Sequence, residues 1–171
     1  MAGRVYVCGI GSRCLYQGKV LIDVGCGSRP VLDYFQQGQK FFLDPLLADY
    51  VKIPAMETHW QRHPASHRFC LPAEESVTDL YDRGDFVLCW NVINHSWDPF
   101  RIVEQIRSYA KSGAKILLGT DLCERPYLGH PGIKSKPEFL RLIEQHFRVV
   151  KRSTRNAFPT CLDIALLLQK P

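Results

Sequence analysis

The fold of this chain is decided by the stretch Val20-Leu-Ile-Asp-Val-Gly-Cys-Gly-Ser-Arg-Pro30, in which an apolar run carries one acid and ends in two glycines. Such a run is typical of a buried parallel strand that enters a tight turn. Because glycine has no Cβ atom, a turn at Gly25 and Gly27 lets the backbone approach a ligand closely. Asp23 stands near the carboxyl end of this strand, where open α/β sheets place their binding crevice. The stretch therefore predicts a ligand-binding loop.

Length and composition bound the architecture. The chain has 171 residues, of which 46% are hydrophobic, and this suits one domain with a sizeable core. We predict a single domain over residues 1–171, with its core at about 19–170. No window approaches the roughly 18 consecutive apolar residues of a membrane span, and the first residues lack the apolar segment of a secretory signal. We therefore expect a soluble, cytoplasmic protein that does not enter a membrane.

Charge and cysteine content argue against two classes of function. The formal net charge is +5, but the basic residues are scattered rather than clustered, which disfavours a nucleic-acid partner. The seven cysteines are an odd number and form no Cys-x-x-Cys pair, so neither a disulfide framework nor a structural zinc site is expected. Cys70 and Cys89 lie in apolar runs and are predicted to be core thiols.

Strand-like and helix-like segments alternate along the chain, with short connections between them. This alternation predicts an α/β fold, a doubly wound and mostly parallel sheet with helices on both faces, preceded by a short N-terminal cap. Strands are predicted from Val20 to the glycine loop and at 40–43, 67–71, 85–91, 114–120, 149–153 and 164–169, and helices at 31–37, 77–81, 102–110 and 139–147. The last two strands are expected to pair near one edge. Residues 48–66 are polar and poorly periodic, and no element is predicted there.

A second acid stands in register with the glycine loop. Asp44 ends the second predicted strand, close to the spacing of about 20 residues at which doubly wound folds offer an acid to ribose hydroxyls. A carboxylate can accept hydrogen bonds from both hydroxyls of a vicinal diol. The competing interpretation is that Asp44 only begins a turn with Pro45. The register with Gly25 favours the binding role.

The pattern Asp23-x-Gly25-x-Gly27 resembles the first motif of class I S-adenosylmethionine-dependent methyltransferases. A dinucleotide-binding loop would require a third glycine, which is absent, and would place an acid beside a pyrophosphate. Arg29 stands where the methyltransferase pattern often carries another glycine. The resemblance extends over about residues 20–169, through segments similar to the family's third strand (69–75), fourth motif (85–95) and turn into the fifth strand (111–118).

This resemblance implies a set of site residues for S-adenosyl-L-methionine. Asp23 and the glycine loop would face the methionine end, Asp44 the ribose, and the Ala-Glu pair at 73–74 the adenine, while Asn91 would hold the methionine end from the fourth strand. The implied cofactor-binding residues are Asp23, Gly25, Cys26, Gly27, Asp44, Pro45, Ala73, Glu74 and Asn91.

Residues after the fourth and fifth strands indicate the acceptor class. The Asn/Asp-Pro-Pro-Tyr/Phe element of amino-methylating enzymes and the Pro-Cys of cytosine C5 enzymes are both missing. The segments Asn91-Val-Ile-Asn94-His95 and His130-Pro131 instead resemble the small-molecule, type 11-like group of methyltransferases. That likeness implies a small-molecule acceptor, with a hydroxyl of a sugar or metabolite as one candidate. A hydroxyl must lose a proton, and His95 and His130 are the candidate general bases. Alternatively, His95 is a packed loop residue and His130 lies in a turn that is exposed to solvent.

Three histidines have a spacing that deserves a separate test. His59, His63 and His67 would align on one continuous helix, but Pro64 interrupts that helix. A polar loop is therefore favoured, and no metal site is predicted.

Two other functions remain open at this stage. One is an S-adenosylmethionine-binding interaction module without turnover, and the other is an NAD-dependent oxidoreductase, which the missing glycine disfavours. Only a short segment precedes Val20, whereas related enzymes carry helices there that close over the cofactor. We therefore expect an open site with weak turnover, unless a second subunit of a homo-oligomer, a partner chain or a large acceptor covers it.

Overall fold

The computed structural model describes residues 16–123, 132–133, 135–158 and 161–171. Its strands are β1 (Val20–Val24), β2 (Gln39–Leu43), β3 (Arg68–Phe69), β4 (Gly84–Trp90), β5 (Ala110–Cys123), β6 (Arg148–Phe158) and β7 (Cys161–Gln169). Its α-helices are α1 (Leu47–Tyr50), α2 (Pro54–Trp60), α3 (Pro99–Tyr109) and α4 (Lys136–Glu144), and short 3-10 helices cover Val31–Tyr34, Ala65–His67, Thr78–Leu80 and Ile93–His95. The predicted N-terminal cap and His130 lie outside the described residues.

One sheet organises the molecule, with the strand order β3-β2-β1-β4-β5-β7-β6. The first five strands in that order are mutually parallel, and β7 runs antiparallel to both of its neighbours. This confirms the predicted doubly wound, mostly parallel sheet and the pairing of the last two strands at an edge. The strand order reverses between β1 and β4, and in open α/β sheets the binding crevice lies at the carboxyl ends of the strands beside such a switch point.

Helices cover both faces of the sheet, which explains why the central strands are apolar throughout. Side chains alternate between the faces along each strand. On one face, Ile22 and Val87 join a buried cluster with residues of α3 and α4. On the other, Leu21 and Phe42 pack with residues that include the fully buried Trp60 of α2.

Tyr109, at the end of α3, fastens the segment that follows β3. Its side chain is fully buried. Its hydroxyl donates a hydrogen bond to the carbonyl of Glu75 at 3.1 Å and accepts one from the amide of Val77 at 3.1 Å. Because these bonds hold residues just after Ala73 and Glu74, they also position the edge of the crevice.

Several predicted boundaries differ from the observed ones. The predicted helix at 31–37 is a single 3-10 turn, and β5 begins at residue 110 because Ala110 pairs with Gly84 of β4. Residues 48–66, for which no element was predicted, contain α2 and most of α1. Cys89 is buried as predicted, whereas Cys70 is exposed, because β3 ends at residue 69 and leaves Cys70 beyond the sheet. None of the described helices combines the length and apolarity that crossing a bilayer requires.

Candidate functional site

A cleft of about 680 Å³ opens at the carboxyl ends of β1, β2 and β4. Every described residue that the sequence nominated for the site lines it, namely Asp23, Gly25, Cys26, Gly27, Asp44, Pro45, Ala73, Glu74, Asn91 and His95. The strands bring these residues together because parallel strands present their carboxyl ends at one edge of the sheet. His130, the other candidate base, is not among the described residues.

The glycine loop is tied to the end of β2. The amides of Gly25 and Cys26 both donate to the carbonyl of Leu43, at 2.7 and 3.0 Å. Gly25 and Gly27 adopt positive φ angles of 69° and 64°, a backbone region that residues with a Cβ atom enter only at a cost. A Cβ atom on Gly25 would lie 2.2 Å from Cγ2 of Val92, whereas one on Gly27 would have no described atom within 4 Å. Gly25 therefore serves packing, and Gly27 leaves its side of the cleft open.

Asp44 holds the glycine loop and the following turn at the same time. One carboxylate oxygen accepts a hydrogen bond from the amide of Gly27 at 2.9 Å, and the other accepts one from the amide of Leu46 at 2.9 Å. The Asp44 side chain therefore does both things that the sequence suggested: it begins a turn, and it lies beside the glycine loop. Each carboxylate oxygen has a further lone pair, so the oriented group can still accept bonds from a ligand in the cleft.

Asp23 is a buried acid that lacks a full set of partners. It is 2% exposed, and its Oδ2 atom has no hydrogen-bond partner among the described residues. Burial raises its pKa to about 8, and the negative charges of Asp33 and Asp44 add to this rise, while a bond from the Leu32 amide opposes it. An unpartnered buried carboxyl is costly. The cleft wall at Asp23 is therefore suited to a cationic ligand group.

Asn91 occupies a strained position at the end of β4. Its φ angle is +56°, which is uncommon for a residue other than glycine. The amide of Asn91 donates to the carbonyl of Gly119 at 2.8 Å, and Gly119 must lack a Cβ atom because the ring of Trp90 lies against it, with the nearest ring atom 2.4 Å from where that Cβ would be. Strain of this kind concentrates at ligand sites.

The segment after β3 closes the other side of the cleft. Ala73 is buried, and a carboxylate oxygen of Glu74 accepts a 2.5 Å hydrogen bond from the hydroxyl of Ser96. Ser96 also accepts a bond from the amide of Asp98 at 2.9 Å, and Asp98 caps α3. Glu74 is therefore partly engaged in holding the β3 side of the cleft to the β4 side.

The predicted Asn94-His95 pair divides into two roles. Asn94 is 1% exposed, and its side-chain amide donates to the carboxylate of Asp121 on β5. His95 is exposed at the cleft. A Cβ atom on Gly132 would lie 2.3 Å from the carbonyl of Ile93, so the chain after β5 returns against this turn. This packing fixes the turn that carries His95, and His95 itself lines the cleft.

Some lining residues were not predicted. They are Arg29, Val31, Leu46, Tyr50, Pro72, Trp90, Val92, Ser96 and Ile102. Most of these residues are neighbours in sequence of a predicted motif, so they could have been predicted from that motif. Tyr50 is different, because it comes from α1, which the sequence pattern did not reveal. Burial and the charge of Asp44 raise the pKa of Tyr50, so its hydroxyl is neutral at physiological pH.

Comparison with known proteins adds a family and a fold. A family model described as a methyltransferase domain matches residues 6–157. The chain is 25% identical over 129 residues to the tRNA U34 carboxymethyltransferase of Campylobacter hominis, covering 70% of this chain and 44% of the relative. The chain therefore spans less than half the length of that curated relative.

Solved structures share the fold at low sequence identity. A putative methyltransferase from Bacillus halodurans superposes with a TM-score of 0.73 at 14% identity, covering 92% of this chain and 95% of that one. The cyclase SpnF has a TM-score of 0.73 at 15% identity, with coverages of 92% and 76%. The 1,6-didemethyltoxoflavin-N1-methyltransferase of Burkholderia thailandensis, solved with S-adenosylhomocysteine, has a TM-score of 0.66 at 17% identity and coverages of 89% and 71%. At these identities the likeness establishes the fold alone.

Proposed function

Since this chain belongs to the class I S-adenosylmethionine-dependent methyltransferases, we propose that it binds S-adenosylmethionine in the cleft and methylates a small-molecule acceptor. The observation that carries the proposal is the buried carboxyl of Asp23, whose Oδ2 atom has no hydrogen-bond partner among the described residues, at a cleft that is also lined by the bare backbone of Gly27. Neither feature is needed to stabilise the fold. Both are suited to a ligand that carries a cation.

The residues present fit the methionine end of this cofactor. Asp23 would pair with the ammonium group through its Oδ2 atom, which lacks a partner among the described residues, and a paired buried carboxylate is far less costly than an isolated one. A pyrophosphate in the same place would supply no positive charge to pair with the carboxylate and would oppose its ionisation. This argues against the NAD-dependent alternative on electrostatic grounds as well as on the glycine pattern.

The nucleoside end would lie against the other strands. Asp44 is oriented by the amides of Gly27 and Leu46 and would accept hydrogen bonds from the ribose hydroxyls. Ala73, which is buried at the cleft, would border the adenine. Glu74 would contribute its backbone and its remaining carboxylate lone pairs, because Ser96 already occupies one of them.

The bound cofactor supplies a methyl group on a positively charged sulfur. The main task of the protein is then to orient the acceptor, an effect that can contribute roughly 7–11 kcal/mol to barrier lowering. His95, exposed at the cleft, would take the proton of a hydroxyl acceptor. A general base of this kind contributes about a hundredfold or more.

A tRNA acceptor is the second candidate. The name of the Campylobacter hominis relative assigns it to tRNA U34, and the edge strand β6 exposes Arg148, Lys151, Arg152 and Arg155. Basic residues on an edge strand also protect it against pairing with another sheet, so this observation favours tRNA less strongly than the cleft favours a small molecule. The interaction-module alternative remains because a fold does not by itself fix an activity, as a structure with this fold that is named as a cyclase rather than a methyltransferase illustrates.

Thermal unfolding with ligands tests the cofactor assignment. At one hundred times its dissociation constant, a ligand adds about 2.7 kcal/mol to the unfolding free energy, and we expect S-adenosylmethionine or S-adenosylhomocysteine to raise Tm by about 5–10 °C. NAD should leave Tm unchanged. A rise with NAD and none with S-adenosylmethionine would assign the cleft to the oxidoreductase class.

Methyl transfer tests the acceptor. A radiolabelled methyl donor is incubated with the protein and, in parallel, with sugars, phenols, other small hydroxyl compounds or bulk tRNA. We expect label in a small-molecule product. Label that appears only in tRNA would favour the second candidate, and cofactor binding without transfer to any acceptor would favour the interaction module.

Asp44→Ala should lower the affinity for the cofactor and the free energy of unfolding. We expect a loss of about 1.5–3 kcal/mol in S-adenosylhomocysteine binding, roughly 10- to 150-fold, because hydrogen bonds to a charged acceptor are lost. Unfolding free energy should also fall by about 1–3 kcal/mol, since the amides of Gly27 and Leu46 lose their acceptor. Calorimetry and denaturant titration measure the two effects.

The matched control is Asp49→Ala, which removes an exposed acid of α1 whose side chain pairs, among the residues that the structure describes, with Lys52 at the surface. It should change neither quantity measurably. If Asp44→Ala bound the cofactor as tightly as the unmodified protein, Asp44 would be a turn residue only.

A further inference from the structure

A second cluster of polar side chains lies outside the cleft, between the 3-10 helix that follows the glycine loop and the end of α2. It consists of Asp33, His59 and His63, whose candidate ligand atoms all lie within 4.8 Å of one another. All three are partly buried, with side-chain exposures of 21%, 25% and 11%. Among the described residues, this is the group of histidine, cysteine and acidic side chains whose spacing suits a metal ion.

The geometry of His59 distinguishes the cluster from an ordinary ion pair. Its Nε2 atom lies 2.9 Å from Oδ2 of Asp33, yet this nitrogen is buried and makes no hydrogen bond to any described residue. The two atoms are close without an N–H directed at the oxygen. His63 places its Nε2 atom 2.8 Å from the other oxygen, Oδ1. The two nitrogens thus approach the same carboxylate from two sides.

The local fold explains which histidines meet. α2 ends at Trp60 and the chain continues in a turn, in which the amide of His63 donates to the carbonyl of Trp60 at 3.1 Å. His59 and His63 therefore remain one helical turn apart and share a face. Pro64 then redirects the chain, and His67 instead lies 4.5 Å from the ring of Phe41 and 3.3 Å from the side-chain amide of Gln39. The third member of the cluster is therefore Asp33 and not His67.

Packing against aromatic rings holds both imidazoles in place, and the centroid of the His59 ring lies 5.3 Å from that of Trp60. The centroid of the His63 ring lies 4.6 Å from that of Phe42 and 6.0 Å from that of Trp60, and Trp60 is 1% exposed. Phe42 belongs to β2. Ligands that are fixed by a sheet and a buried ring lose little freedom on binding a metal.

We propose that Asp33, His59 and His63 bind a zinc ion, with a fourth position open to water. Two imidazole nitrogens and one carboxylate oxygen are a common donor set for Zn²⁺. The Nε2 atoms of His59 and His63 lie 2.9 Å from Oδ2 and 2.8 Å from Oδ1 of Asp33. Zinc–ligand bonds of about 2.0–2.2 Å allow one ion to lie between the two nitrogens and this carboxylate, which can bind it through either oxygen. The site joins the 3-10 helix that follows the glycine loop to the end of α2. It does not depend on which reaction the cleft performs.

The test uses the full chain, freed of metal with a chelator and then titrated with Zn²⁺ in competition with a chromophoric indicator. We expect one equivalent to bind and Tm to rise with it. His59→Gln and His63→Gln should each weaken zinc by about 100-fold or more, because each removes one of three protein ligands. His67→Gln, the matched control from the same histidine series, should bind zinc like the unmodified protein.

Cobalt provides a readout that does not depend on the variants folding. Co²⁺ bound by nitrogen and oxygen donors gives ligand-field absorption without the intense charge-transfer band of a cobalt–thiolate bond, which binding to free cysteines would produce. That spectrum, lost on addition of Zn²⁺, supports the site. Failure to bind one equivalent of Zn²⁺, a thiolate band, or equal loss of zinc in His67→Gln would each overturn the proposal. Preferential binding of Fe²⁺ over Zn²⁺ would overturn the choice of metal.

Discussion

Asp23→Asn is expected to reduce the affinity for S-adenosylmethionine by roughly 30- to 5,000-fold. The side chain keeps its shape but loses the charge that would pair with the ligand's ammonium group. Removing one partner of a buried, hydrogen-bonded charge pair costs about 2–5 kcal/mol. The effect is larger than that expected at Asp44, because Asp23→Asn removes one partner of an expected ion pair, whereas Asp44→Ala removes hydrogen bonds to the ribose. Asp23 is 2% exposed, so water does not replace the lost interaction.

The same substitution should change how the ligand-free protein responds to pH. Burial raises the pKa of Asp23 in the folded chain to about 8, whereas in the unfolded chain it lies near 4. Between these values the folded state binds more protons than the unfolded state, so unfolding free energy falls as pH rises from about 4 to about 8. Asp23→Asn removes this contribution. We expect the variant to be more stable than the unmodified protein at pH 8, although it binds the cofactor poorly.

The raised pKa of Asp23 also makes cofactor binding depend on pH. An ammonium group favours the ionised form of Asp23, so binding below pH 8 should release a proton, and affinity should rise as pH approaches about 8. Calorimetry in buffers of different ionisation enthalpy measures the released proton. Asp79→Asn, which alters an exposed acid, should leave the affinity unchanged. Unaltered cofactor affinity in Asp23→Asn, together with no proton release in the unmodified protein, would refute the assigned role.

Gly25→Ala and Gly27→Ala are expected to fail in different ways. Both positions require a positive φ, which costs a residue with a Cβ atom about 1–2 kcal/mol. At Gly25 the new methyl group would also lie 2.2, 3.0 and 3.2 Å from three side-chain carbons of Val92. Rotating this β-branched side chain does not clear all three contacts. With overpacking of about 1–3 kcal/mol added, we expect Gly25→Ala to lose about 2–5 kcal/mol of unfolding free energy.

Gly27→Ala should retain most of its stability and lose the ligand. No described atom lies within 4 Å of the added methyl group, so only the cost of the positive φ remains. The methyl group would enter the cleft where the backbone is expected to meet the cofactor. We expect an affinity loss of about tenfold or more, as for other steric overpacking. Denaturant titration and calorimetry on both variants separate the effects, and equal stability losses with unchanged affinity in Gly27→Ala would contradict this division.

Patterns that are local in sequence predicted the main features of the fold. The run from Val20 into Gly25 and Gly27 predicted β1 and its loop, since a buried strand and a tight turn each leave a short-range signature. The spacing to Asp44 predicted an acid in register with the loop that would bind ribose hydroxyls. In the structure Asp44 accepts a hydrogen bond from the amide of Gly27, which places it beside the loop, and its ribose role stays a prediction. The alternation of strands and helices predicted a doubly wound, mostly parallel sheet because few connections between parallel strands are allowed. Binding roles within the cleft stay predictions.

Contacts between distant residues decided the rest. α1 and α2 lack strong periodicity, and their formation depends on burying Leu47 and Trp60 against the sheet, so Tyr50 entered the cleft without a sequence signal. The meeting of Asp33 with His59 and His63 likewise depends on how two segments pack. A sequence states which groups can ionise or bind a metal. The burial that raises the pKa of Asp23, and the distances that gather three donor atoms, exist only once the chain has folded.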